Sequence, residues 1–377
     1  MKRPKILAID TSCDETCAAV SCGRKILSNV ISSQINIHQE YGGVVPHLAK
    51  RAHQDKIAWV VKEALQRAKL TRQIQILPAQ SDSVHEQAKF RIAESLSAVA
   101  VTIGPGLAPA LEVGIAFAKK LALKYEKPLI AVNHMEGHLL SSLAKPNPPE
   151  VKSASWRTTS EVDFPALGLL ASGGHTQLVL VKSIGNYELL GETLDDAAGE
   201  ALDKLAQMLK LGYPGGPIIE QLAKLGNPDA INLPIPMQHS QDLNFSFSGL
   251  KTAALYIIQK KGSELLESSE PRFAYNMCAA FQQAIAKSLI IKLSKALAIY
   301  QPKSLLLGGG VFANLYFRAQ IRSMAKQHAL PLYFPYSKKL FTDNAAMIAV
   351  AAFFRFNKGE SFVKDIQALD RQPNLNF

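Results

Sequence analysis

Two stretches of this chain are written to one plan. KILAIDTSCDETCAAVSCGRKIL, starting at Lys5, is an apolar run, a polar turn and a second apolar run. PALGLLASGGHTQLVLVKSIGNYELL, starting at Pro165, repeats that plan. Each reads as a β-hairpin whose turn is made of Thr, Ser, Asp or Gly. One such hairpin fits any sheet, but two at the starts of successive halves imply duplicated α/β domains that face each other. Turns of this composition also offer backbone N–H groups and hydroxyls to a phosphate.

Periodicity supplies the rest of the frame. The first half continues with a helix over about 50–69, the strand SAVAVTI, the turn GPGLAPALEVG, the helix IAFAKKLALKY, and the strand PLIAVN running into HMEGHLLSSLA. In the second half, DDAAGEALDKLAQMLKL places apolar residues at 197, 198, 201, 202, 205 and 209 on one helical face. Asp196 is the expected N-cap of that helix. Asp203 lies off the apolar face, so it is either exposed or aimed at a ligand. The turn YPGGP follows, and FSFSGLKTA opens another helix. SLLLGGGVFANLYFRAQIRSMAKQ is a buried strand, a glycine turn and a helix with Asn314 near its start, an arrangement that brings backbone close to a nucleotide. FTDNAAMIAVAAFF is a helix apolar all round and therefore buried, capped by Thr342 or Asp343. The polar stretch 72–92 reads as an inserted loop, and the Pro/Ser/Thr-rich stretch at 150–163 as a boundary. The expected division is a first domain over 1–148 plus 342–377, a linker over 149–165, and a second domain over 166–341.

NHMEGH, residues 133–138, sets two histidines four apart. On a helix His134 and His138 project from one face. Protease zinc helices read H-E-x-x-H, with the glutamate placed to reach the metal-bound water. Glu136 instead stands about 200° around the helix from both histidines and points away from any metal they hold. The protease reading is therefore poor. The spacing alone is a weak signal that two surface histidines would also give. A metal needs a third ligand, and Asp343, at the start of the late buried helix, is the best candidate, although capping alone would explain a carboxylate there. Two imidazoles and a carboxylate make an open site that suits Fe(II) or Zn(II).

The 42 Lys and Arg residues against 31 acids give a net charge of +11, which favours a polyanionic partner: RNA, DNA or an anionic membrane. The charge sits in small groups such as KKLALKYEK and SKKL, and solvated helix faces would look similar. The N-terminus reads as a strand, not a signal peptide. The longest apolar run, AAMIAVAAFF, is too short to span a bilayer, so a cytoplasmic protein is expected. Cys13, Cys17, Cys22 and Cys278 have no paired C-x-x-C spacing and read as small buried thiols.

DTSCDET, YGGVVP, NHMEGH, SGGHTQL, LDDAAGEALDK, YPGGP, FSFSGLKT, GGGVFAN and TDNAAMIA occur in this order, and with them nearly the whole chain resembles the TsaD family of bacterial threonylcarbamoyltransferases. The resemblance implies two duplicated actin-like, Hsp70-like domains (the ASKHA fold, shared with sugar kinases) with a ligand cleft between them. It implies transfer of a threonylcarbamoyl group from threonylcarbamoyl-AMP to the exocyclic N6 amine of the adenosine just 3′ of the anticodon, in tRNAs reading codons that begin with A, with release of AMP. By motif, His134, His138 and Asp343 would bind one divalent metal per subunit, Fe(2+) before Zn(2+). Leu170, Ala171, Ser172, Gly173, Gly174, Asp203, Gly216 and Asn314 would hold the intermediate. Asp14 and Glu15 would lie at the reaction centre, against a plainer reading as residues that cap a hairpin turn. The implied partners are tRNA, the TsaB and TsaE proteins, and a TsaC/Sua5-type enzyme that makes the intermediate, with no membrane. The alternative is a non-catalytic ATP-binding scaffold or chaperone-like ATPase of the same fold. The chain departs from the family at His47, where glutamate is usual, and in GPGLAPALEVG, which replaces GPGLVGALLVG.

Overall fold

The computed structural model describes residues 3–70, 95–147, 162–261, 271–359 and 362–377. The expected insertion at 72–92 and nearly all of the stretch at 150–163 lie outside them. The chain divides into two compact units. One comprises Met1–His38, Val44–Ser160 and Phe334–Phe377, and the other Gln39–Gly43 and Glu161–Tyr333.

The first unit is built on β1 (Lys5–Asp10), β2 (Glu15–Cys22), β3 (Lys25–Ser33), β4 (Ala98–Gly104) and β5 (Leu129–Asn133), in the order β3-β2-β1-β4-β5. β1, β2 and β3 form an antiparallel meander, with Leu7 opposite Val20 and Ile9 opposite Ala18, while β4 and β5 join in parallel. The helices of this unit are α1 (Ile35–His38), α2 (Pro46–Arg67), α3 (Ala108–Tyr125) and α4 (His134–Leu140), with a further helix near its end. Leu7, Ile9, Val99 and Val101 pack with α2 and α3 in one core. The alternate residues Ile6, Ala8 and Ala100 are equally buried, so the sheet is covered on both faces and its strands read as unbroken apolar runs.

The second unit repeats this topology with β6 (Ala166–Ala171), β7 (Thr176–Ser183), β8 (Asn186–Glu192), β9 (Ser304–Gly308) and β10 (Leu332–Tyr333). Its order is β10-β9-β6-β7-β8: a meander of the first three strands, then two parallel additions beside the first. The duplication expected from the two hairpins therefore extends to whole sheets. Its helices are α5 (Ala198–Met208), α6 (Gly215–Ala223), α7 (Ser248–Lys261), α8 (Arg272–Tyr300) and α9 (Leu315–Gln327). Asp196 is not the cap of α5. Ala197 holds that position, and Asp196 instead pairs with Lys204 at 2.7 Å and Lys251 at 2.5 Å. Two cations, Lys204 from the second turn of α5 and Lys251 from the first turn of α7, hold the carboxylate in place of a single amide.

The remaining helix, α10 (Ala345–Lys358), belongs to the first unit and is buried from Ala345 to Ala352 against β1, β2 and β5. Among the described residues no helix is long and apolar enough to cross a membrane.

Candidate functional site

Asn133 closes β5 and caps α4: its Oδ1 accepts from Met135 N at 2.8 Å and Glu136 N at 3.3 Å. The same side chain donates from Nδ2 to the Asn376 carbonyl at 3.0 Å. One turn of α4 then stacks His134 and His138 edge to face, ring centroids 4.7 Å apart, both buried. Glu136 points away from them, as the helical geometry predicts. Its Oε2 accepts from two nitrogens of Arg355 of α10, Nε at 2.7 Å and Nη2 at 2.6 Å. Gly137 lets the two helices touch, since a Cβ there would sit 2.8 Å from Ile348 Cδ1.

The Glu136–Arg355 pair braces the two segments that bear the metal-capable residues. Arg355→Leu takes this cation away from the Glu136 carboxylate, only 2% exposed, and is expected to cost about 3–5 kcal/mol in urea unfolding. The double variant Glu136→Gln/Arg355→Leu should recover most of that loss. A double variant no more stable than Arg355→Leu would show that the pair is not the brace.

Asp343 lies two residues upstream of α10. The cap expected at Thr342 or Asp343 falls instead to Asn344, whose Oδ1 accepts from Met347 N at 3.1 Å. Thr, Asp and Asn can all cap, and the extended backbone at Asn344 selects the third of them. Capping therefore does not explain Asp343. Its Oδ1 lies 3.1 Å from His138 Nε2 and 3.5 Å from His134 Nε2, and the three side chains bring ligand atoms within 4.8 Å of one another. This cluster can hold a metal ion.

Asp10 was not anticipated. It ends β1, is buried, and sets Oδ2 3.4 Å from His134 Nδ1. Its only sequence signal is a carboxylate closing an apolar strand. Burial pulls the His134 imidazole down, but Asp10 and then Asp343 overcome it and push its pKa up to about 10. Asp343 would be raised by burial, yet His134 and His138 hold it well below the usual carboxylate range. His138 is lowered, chiefly by burial. The site thus gathers one positive charge between two carboxylates, where a cation would replace a proton. Asp10 Oδ2, His134 Nδ1 and His138 Nδ1 are buried without well-formed hydrogen bonds. These orphaned atoms and the borderline N/O donor set fit a divalent metal. Among the described residues the converging ligand set contains no cysteine. The Cys13 and Cys17 thiols are pushed well up, by burial first and neighbouring carboxylates second. All four are free, with Cys17 and Cys278 buried and Cys13 and Cys22 half-buried.

Asp14 and Glu15 form the end of the β1–β2 turn. Asp14 is buried and its carbonyl accepts from Gln34 N at 3.0 Å. Glu15 opens β2, partly exposed, with Oε1 3.5 Å from Ser33 Oγ. Its carboxyl is raised well above the usual range by burial, then by Asp14 and Asp343. The turn therefore stands in the field of the His–His–Asp cluster.

In the second unit Leu170 and Ala171 are wholly buried strand residues, and Gly173 and Gly174 of the following turn are exposed. Ser172 fastens that turn: its Oγ accepts from His175 N at 3.1 Å, and its carbonyl from Gly199 N at 3.1 Å. Gly309, at φ 95°, lies against β6 so closely that a Cβ would run into the Ala171 carbonyl. Asp203 Oδ1 accepts from Gly215 N at 2.7 Å, which brings it beside Gly216. The Asn314 amide is engaged within the protein, accepting from Tyr316 N at 2.8 Å as the cap of α9 and donating to Gln282 Oε1 at 2.7 Å. Glu220, one turn beyond Gly216, was also missed by sequence reasoning. It accepts from Leu315 N at 2.8 Å and, with Ala223, Ala279, Gln282 and Tyr316, lines a cavity of about 140 Å³. His47 is exposed on α2.

The family model "TsaD: tRNA N6-adenosine threonylcarbamoyltransferase" matches residues 25–77 and 73–350. A tRNA N6-adenosine threonylcarbamoyltransferase of Anaeromyxobacter dehalogenans is 44% identical over 365 residues, 97% of this chain and 98% of that protein. One of Thermosipho africanus is 40% identical over 372 residues, 99% of each. Among solved structures, full-length HypF in a phosphate- and nucleotide-bound form covers 96% of this chain at a TM-score of 0.57. That match is 12% identical and takes in 57% of the HypF chain, so it bears on the fold alone. The fold is the α/β, duplicated actin-like one.

Proposed function

The chain belongs to the TsaD family of tRNA N6-adenosine threonylcarbamoyltransferases, and from that premise we propose which of its residues carry the transfer. It is a transferase that forms threonylcarbamoyladenosine in tRNA. The observation that carries the assignment is the convergence of His134, His138 and Asp343 beside Asp10 and the raised carboxyl of Glu15.

The donor, threonylcarbamoyl-AMP, is a mixed carbamic–phosphoric anhydride. It is already activated, so no enzyme nucleophile is needed. The protein must orient the carbonyl, exclude water and take up charge on the carbonyl oxygen and the departing phosphate. The exposed backbone of Gly173 and Gly174 offers N–H groups for the anionic part of the intermediate, in a turn that Ser172 N closes on the His175 carbonyl at 2.8 Å. Leu170 and Ala171 fix the strand end, Gly309 presses the second glycine turn toward Ala171, and Asp203, Gly216 and Asn314 complete the pocket. An aromatic amine is a weak nucleophile whose proton is lost late in the attack. Glu15 serves as the base, with burial first and Asp14 second raising its proton affinity. His134, His138 and Asp343 would hold one divalent ion, iron before zinc, and the ion would supply Lewis acidity when bound. TsaB, TsaE and a TsaC/Sua5-type enzyme complete the reaction system, in the cytoplasm.

The test is reconstitution: this chain, those partners, threonine, bicarbonate, ATP and tRNA, with nucleosides read by mass spectrometry. Threonylcarbamoyladenosine should form only when this chain is present. Partners that modify tRNA equally well without it would overturn the assignment.

The net charge of +11 predicts that tRNA affinity falls about tenfold or more between roughly 50 and 200 mM salt, each phosphate contact adding about 0.7–0.9 to the logarithmic slope. Filter binding measures this, and a flat response would assign the charge another purpose.

A further inference from the structure

We infer that His53 is a positioning residue for the transfer: its ring grips the residues immediately before and after Asp14–Glu15 and so fixes where their carboxylates point. The inference rests on the proposed role of that pair.

His53 lies on α2 and is fully buried. Its Nε2 is 2.9 Å from the Cys13 carbonyl, and its Nδ1 2.8 Å from Thr16 Oγ1. A carbonyl only accepts, so Nε2 carries the proton and Nδ1 accepts from the threonine hydroxyl. Both ring nitrogens are thereby used, and the tautomer is set. Burial holds the imidazole low and neutral, against the smaller opposing effects of the Cys13 carbonyl, Asp10 and Asp14. From the other side Gln34 N holds the Asp14 carbonyl at 3.0 Å. Gln34 is itself fixed by His38, at 3.1 Å from Oε1, and by the Ala49 carbonyl, at 3.4 Å from Nε2. The backbone at 13 and 14 and the side chain at 16 are thus pinned from α2 and the segment before it, with both ring nitrogens of the histidine engaged by Cys13 and Thr16.

A histidine that only filled core space could satisfy its nitrogens anywhere. This one spends both on the two residues that bracket the acidic pair. Displacing a reacting group by about 1 Å costs up to about 100-fold in rate.

The test uses the full chain in the reconstituted reaction, measuring kcat, KM for tRNA, metal content and melting temperature. His53→Ala should lower kcat about 10–100-fold with metal content and KM nearly unchanged. His53→Gln, whose amide N–H can reach the Cys13 carbonyl, should recover most of that rate. Thr16→Val, which removes only the hydroxyl on Nδ1, should show a smaller loss. Glu15→Gln run in parallel separates the two readings: full activity there would sink the catalytic assignment itself. An inactive Glu15→Gln beside a His53→Ala of wild-type kcat would overturn the inference. So would a His53→Ala defect that merely follows lost folded protein and is not relieved by glutamine.

Discussion

His134→Ala and His138→Ala should each yield folded protein stripped of nearly all its metal and nearly all its transfer activity. The two imidazoles stand on one turn of α4 and share the Asp343 carboxylate, so removing either leaves two ligands of three. Losing a group that merely orients a ligand typically costs 10- to 100-fold in affinity, and losing a ligand costs more. Metal content after dialysis and modified nucleoside from the reconstituted reaction measure the two losses. The variants should differ in stability. His134 stands between Asp10 and Asp343, and its removal leaves the buried Asp10 and the half-buried Asp343 carboxylates without their shared cation. His138→Ala leaves that arrangement intact. His134→Ala should therefore melt lower in the metal-free state. A protein lacking both histidines yet retaining its metal would refute the site.

Glu15→Gln should lower kcat by about 10²–10⁴ while metal content and tRNA affinity are preserved. Glutamine keeps the shape and loses the base. The pH profile carries a second signature. Burial, then Asp14 and Asp343, raise the Glu15 carboxyl, and it must be ionised to accept the amine proton. The rate of the native enzyme should therefore rise with pH through a transition above the ordinary glutamate value of about 4.3. Asp14→Asn removes one of the raising charges and should move that transition to lower pH. Glu15→Gln should lack it. A profile unchanged in both variants would show that the proton goes elsewhere.

The sequence made some of this legible because the relevant physics is local. Strands covered on both faces leave unbroken apolar runs, so the two hairpins and their duplication are visible. Helical periodicity places His134 and His138 together and turns Glu136 away, and that orientation needs no knowledge of the partner. That the partner is Arg355 depends on how α4 lies across α10, a contact between segments 219 residues apart. Asp10 was hidden for the same reason: it acts on a histidine of another strand's helix, and a carboxylate ending a strand resembles any strand end. His53 reaches Thr16 across 37 residues. The cap of α10 was misplaced because Thr342, Asp343 and Asn344 are all competent, and only the backbone decides between them. Asp196 resembled a cap until Lys204 and Lys251 claimed its carboxylate.

The most direct test of the metal centre is Asp343→Asn, with metal content, melting temperature and transfer measured on one preparation. Asn344, not Asp343, caps α10, so the change removes an anionic ligand and no helix contact of that kind. The predicted result is loss of metal and of transfer at a melting temperature within a few degrees of the metal-free native protein. Metal and activity both retained would contradict it, leaving His134 and His138 without their third ligand.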